Sequence, residues 1–234
     1  MTAGRCFWQT VGVLVLFTVA RTFHVLGPPG VGVGLLMAAL ILVAWGNGAT
    51  SADLGLGRSD MLAGLGYGAG ACGLVLLVLL VAAAIPATNG FLHDSRAQID
   101  GGRLLYDVGV SITLLTAIPE EFAFRGILLG SGLKLWGPWR ASLITSALFG
   151  LWHIAPTLGT MSDNHEFRGA AASTIGEALL VLGAIAVTFV AGLAFCWLRL
   201  RSKSLIAPIM AHVATNGLAL TVAWFAVHHC RVVC

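Results

Sequence analysis

Long apolar runs separated by short polar connections dominate this chain. Seven can be drawn, at about 7–26, 31–45, 61–85, 104–135, 139–155, 174–198 and 204–227. None alternates apolar with polar residues, as the ~10-residue strands of a membrane barrel do. Most approach or exceed the roughly 20 residues that an α-helix needs to cross a bilayer, and they are rich in Leu, Val, Ala and Gly. The pattern predicts an all-α, polytopic membrane protein with about seven transmembrane helices, or eight if one more segment crosses, around an intramembrane cavity. The first run is read as retained. It is long enough to span, and Arg21 and His24 near its far end depart from the small-residue pattern of a signal-peptide cleavage site. The shorter second run is expected to pair with it as a helical hairpin, and the connection 47–60 has room for a short surface helix. In the third run, Gly64, Gly66, Gly68, Gly70 and Gly73 predict close helix–helix approach.

Composition agrees with that class. Of 234 residues, 58% are apolar and 10% charged, with a mean hydropathy of +0.91. Soluble domains carry about 25% charged residues, so most of this surface is built to face lipid. The formal charge of +3 comes from Lys and Arg scattered at run ends, with no basic stripe, which excludes nucleic acid as a partner. Arg199, Arg201 and Lys203 form the densest basic connection and mark it as cytoplasmic. Alternation then puts Arg5, Arg58, Lys134 and Arg140 on the same side, with the N-terminus inside and the C-terminus outside. The plasma membrane is the expected location. Five cysteines are too dispersed for a disulfide framework. The tail His228–Cys234 reads as a frayed end rather than a soft-metal site. One integral unit is expected, made of N-terminal helices and a polar loop (1–103) and a core (104–228).

The informative departure from apolarity is Pro119-Glu120-Glu121-Phe122-Ala123-Phe124-Arg125-Gly126, which sets two carboxylates and a guanidinium inside the fourth run. Ionised groups within a bilayer cost several kcal/mol and generally face a partner or a wet cavity. Glu121 and Arg125, four residues apart, share a helix face and can neutralise each other. Glu120 is turned about 100° away and is left free to act as a general base. Pro119 removes a backbone donor and is expected to open the helix locally. The fifth run carries Phe149 and His153 at i and i+4, and the last carries His212 and Asn216 at the same spacing. One glutamate, two histidines and an asparagine on three helices can activate a water and steady an oxyanion. Equally, Glu120, His153 and His212 match a hydrolytic zinc site with an open position. Taken singly, an ion pair or an Asn in a span is often only interhelical glue. It is the joint occurrence that points to chemistry.

At Glu120–Gly126, at Phe149-Gly150-Leu151-Trp152-His153 and at His212-Val213-Ala214-Thr215-Asn216, the chain resembles the CAAX protease and bacteriocin-processing (CPBP, or Abi) family of intramembrane endopeptidases. The lead-in Ser204–Ala211 is also similar, and the likeness spans about 104–220. The resemblance implies a helical bundle with a site sunk in the membrane and peptide-bond hydrolysis as its reaction. It gives Glu120 and His153 the attacking water, His212 and Asn216 the oxyanion, and Glu121 and Arg125 a bracing role, with Phe149 in support. A metal-free site is favoured, because the set is complete without a third clear ligand beyond Glu and two His; a divalent ion such as zinc is the alternative. The expected partners are membrane lipid and a peptide or lipid-anchored protein tail. A non-catalytic scaffold or bacteriocin-immunity protein of the same fold is the competing reading. A proton-coupled carrier is a third, weakened by the lack of an internal repeat.

Overall fold

The computed structural model describes residues 1–85, 88, 95–160, 169 and 171–229, the side chain of His229 excepted. The described residues form helices and no strand. Helices α1 (Ala3–Thr22) and α2 (Pro29–Gly46) form the expected hairpin, with Pro29 in the first turn of α2, where its missing N–H leaves no gap in the ladder. The short helix α3 (Ser51–Leu54) is the one foreseen in the connection. Thr50 and Asp53 close a reciprocal capping box around its start. Helix α4 (Met61–Ala84) follows.

Next comes an unusual rod. It runs through α5 (Gly101–Tyr106), a π-helical stretch Asp107–Ala117, α6 (Ile118–Glu121), a second π-helical stretch Phe122–Leu128, α7 (Leu129–Trp152) and α8 (Ile154–Thr160). The chain ends with α9 (Thr174–Ser202), α10 (Ile206–Val213), a third π-helical stretch Ala214–Leu218 and α11 (Ala219–His229). Six helical stretches among the described residues are long and apolar enough to cross a membrane, against seven runs in the sequence. The difference is one join. Gly101–Thr160 has 60 residues, about three times what one crossing needs, and it breaks at Gly137, whose φ of 75° and ψ of 176° are non-helical, just before Pro138. That break lies between the fourth and fifth runs.

Large apolar side chains such as Leu62, Leu74 and Leu77 point outward, as a lipid-facing surface requires. The interior holds Phe7, Leu40, Phe124, Ile127, Leu128 and Phe149. The glycine expectation for α4 is corrected to two positions. Only Gly64 and Gly68 are buried there, and a Cβ on Gly68 would stand 2.6 Å from Met210 Sδ of α10, whereas Gly66, Gly70 and Gly73 face open space.

Polar contacts gather several basic residues at one end of the bundle. Arg5 Nε donates to Asn47 Oδ1 at 2.9 Å, Lys134 pairs with Asp53 at 2.7 Å, and the buried Arg199 donates to the Asp53 carbonyl at 3.1 Å. Trp224 ties α11 to the Ile99 carbonyl at 2.7 Å, at the opposite end. Asp94 and His93 of the first polar loop, most of the second loop, and Cys230–Cys234 of the tail lie outside the described residues. His228 is described; it is exposed and stacks on Trp224.

Candidate active site

The two glutamates occupy α6, one short α-helical turn held between π-helical stretches. The rod runs on through Pro119, with π-helical stretches on either side of that turn. The wider i→i+5 ladder before it accommodates the missing donor, and such stretches are frequent at functional sites. Glu121 points inward and is fully buried, with Arg125 beside it at 1% exposure. Arg125 Nη1 donates to Glu121 Oε1 at 3.0 Å, so the pair forms despite the π-helical backbone under Arg125. The guanidinium lies over the Phe149 ring, 4.0 Å from its centroid, with Phe195 at 5.1 Å and Phe124 at 5.9 Å. Its Nε and Nη2 have no hydrogen-bond partner among the described residues, and the three ring faces supply the electrostatic contact instead.

His212, on α10, places Nδ1 at 2.8 Å from the same Glu121 Oε1. The carboxylate only accepts, so Nδ1 carries the proton and Nε2 faces the pocket. His153 sits at the cap of α7, with Nδ1 at 2.8 Å from the Phe149 carbonyl. A carbonyl also only accepts, which again leaves Nε2 free to act. Both Nε2 atoms turn toward one oxygen. Glu120 Oε2 lies 4.0 Å from His153 Nε2 and 3.9 Å from His212 Nε2. The other oxygen, Oε1, accepts from Trp152 Nε1 at 2.9 Å. Oε2 itself is buried and has no hydrogen-bond partner among the described residues.

The helices thus bring together Glu120, Glu121, Arg125, Phe149, His153 and His212. They do not join Asn216 to this cluster. Asn216 lies on the stretch Ala214–Leu218, is exposed, and makes no side-chain hydrogen bond among the described residues. Two participants were not singled out by their sequence context. Trp152 was visible only as a neighbour of His153, and Phe195, whose ring stacks on His212 at 5.4 Å, is one apolar residue in an apolar run.

A zinc ion bound tetrahedrally by imidazole and carboxylate at about 2.0–2.1 Å sets its ligand atoms about 3.4 Å apart. The Glu120–His separations of 4.0 and 3.9 Å are wider than that. Among the described residues, no group of three or more His, Cys, Asp or Glu is arranged to hold a metal ion. As arranged here, the residues do not fit such a site.

Residues 104–218, which contain every group of the cluster, match the model of the type II CAAX prenyl endopeptidase Rce1-like family. This segment belongs to that family. The match supports a CAAX-type intramembrane protease fold for this segment, consistent with its apolar helices and its buried polar centre. Neither a curated protein nor a solved structure matches the chain.

Proposed function

We propose that the protein is an intramembrane endopeptidase that hydrolyses a peptide bond in a membrane-associated peptide or a lipid-anchored protein tail. The observation that carries this reading is the convergence of Glu120 Oε2 with two imidazole Nε2 atoms at 3.9–4.0 Å. That separation is too long for a direct hydrogen bond and suits one water bonded to both groups.

In this mechanism Glu120, with His153, takes a proton from the water as its oxygen attacks the scissile carbonyl carbon. The C–N bond then breaks, and the same pair returns the proton to the leaving amine. Trp152 holds Oε1, so that Oε2 alone does the proton work. His212, oriented by Glu121, presents Nε2 to the developing oxyanion and, when protonated, donates to it. Glu121 is in turn fixed by Arg125, and Phe149 supports the guanidinium. The exposure of Asn216, one turn beyond His212, suits a carboxamide that meets the substrate from the open side rather than one that braces the cluster. The basic end of the bundle is assigned to the cytoplasm by its excess of Lys and Arg, which puts the N-terminus inside, in a plasma membrane.

The test is hydrolysis of a prenylated peptide by purified protein in proteoliposomes, in chelator and in water enriched in oxygen-18. The expected result is Glu120-dependent cleavage with one labelled oxygen in the new carboxyl terminus. Cleavage that stopped in chelator and returned with zinc would overturn the metal-free form of the mechanism. Absence of any peptide hydrolysis would overturn the endopeptidase reading.

A further inference from the structure

Trp152 is the link between the reacting carboxylate and a part of the chain outside the family match. Its indole contacts two rings from different helices. Phe17 of α1 stacks on it at 6.1 Å with an interplanar angle of 17°, and Phe124 meets it edge-on at 6.0 Å and 66°. Phe17 is itself almost fully buried and belongs to the same core as Phe124 and Phe149. The indole is therefore contacted by rings from two helices while the edge that carries Nε1 is hydrogen-bonded. The N–H has one acceptor, Glu120 Oε1 at 2.9 Å.

An indole free to turn would give up that bond, and Glu120 would then present either oxygen to the histidines. Helix α1 lies outside residues 104–218, so the family match does not account for the contact. We infer that Phe17 is a positioning residue for the reaction: α1 locks the Trp152 indole, and the indole in turn selects which oxygen of Glu120 faces His153 and His212. The N-terminal hairpin is on this account part of the catalytic apparatus as well as a lipid-facing wrapper.

This inference rests on the endopeptidase reading for its kinetic consequence, though not for its structural one, so two readouts separate them. The first is the indole 15N–1H NMR spectrum of the full chain in micelles, where the Trp152 resonance is identified by its loss in Trp152→Phe. That resonance should move in Glu120→Ala, which removes the acceptor, and should move in the same sense or broaden in Phe17→Leu. Phe17→Tyr keeps the ring and should restore the wild-type position. Phe7→Leu is the control, because Phe7 packs on Trp136 of the same bundle and not on Trp152; it should leave the resonance in place. If Phe17→Leu fails to fold, Phe17→Met, which keeps volume without a ring, takes its place.

The second readout is kinetic. Phe17→Leu should lower kcat about tenfold with KM unchanged, the scale of one lost hydrogen bond in the transition state. It should have no further effect once Trp152 is already Phe, because both changes break one link. A Trp152 resonance that moves in Glu120→Ala but stays put in Phe17→Leu would overturn the inference, whatever the enzymatic result. An additive kcat loss in the double variant would overturn it as well. A shifted resonance in a protein with no Glu120-dependent cleavage would uphold the positioning link and sink the endopeptidase reading.

Discussion

His212 and Glu121, ninety-one residues apart in sequence, are joined by a 2.8 Å hydrogen bond between Nδ1 and Oε1 in the buried interior. The bond fixes the imidazole's tautomer and aims its second nitrogen at Glu120. It also means that Glu121 Oε1 serves two partners, since Arg125 donates to the same atom at 3.0 Å. The two glutamates therefore divide the labour. Glu121 is tied down through Oε1 by cationic and imidazole donors, while Glu120 turns its unpartnered Oε2 toward two imidazole Nε2 atoms.

That division predicts an asymmetric response to mutation of the ion pair. Arg125→Met leaves Glu121 as a buried carboxylate without its cation and should destabilise the fold by about 3–5 kcal/mol, measured by thermal or denaturant unfolding in detergent. Combining it with Glu121→Leu removes both charges and should recover most of that loss. Activity should not return with stability, because His212 would then lack its orienting acceptor.

Asn216 should behave in the opposite way. It is exposed and bonded to nothing described, so Asn216→Ala should change stability by no more than about 0.5 kcal/mol. If it donates to the oxyanion, kcat should nonetheless fall by about 10²–10³, with KM much less affected. A variant with wild-type kcat would remove Asn216 from the mechanism.

The contact between α4 and α10 makes a prediction independent of catalysis. Gly68→Leu must displace Met210 and should cost about 1–3 kcal/mol or prevent folding, whereas Gly66→Leu on the open face should be near neutral. Unfolding midpoints of the two variants compare these directly.

Much of this was legible in the sequence, and the reasons are specific. The Glu121–Arg125 and Phe149–His153 pairs are local, set by a four-residue helical spacing, and polar residues stand out in apolar runs. The break at Gly137-Pro138 was visible as the boundary between two runs, and the connection 47–60 had room for α3. What stayed hidden depends on packing between distant helices. The bond from Trp152 to Glu120 and the stack of Phe195 on His212 involve residues that read as ordinary core. The π-helical stretches leave no spacing signature, because they differ from α-helix in backbone hydrogen bonding rather than in side-chain pattern. Only α4's neighbours decide which of its five glycines are contacts, and sequence alone treats them alike.

The central claim is that Glu120 Oε2, set before two imidazoles, drives peptide hydrolysis. The most direct measurement is kcat of Glu120→Gln in proteoliposomes carrying a prenylated peptide, with folding verified by its unfolding midpoint. The substitution keeps the shape and the Trp152 acceptor, while an amide has no basic oxygen to take the water's proton. A loss of about 10²–10⁴-fold at unchanged stability is the predicted result, and cleavage at the wild-type rate would contradict it.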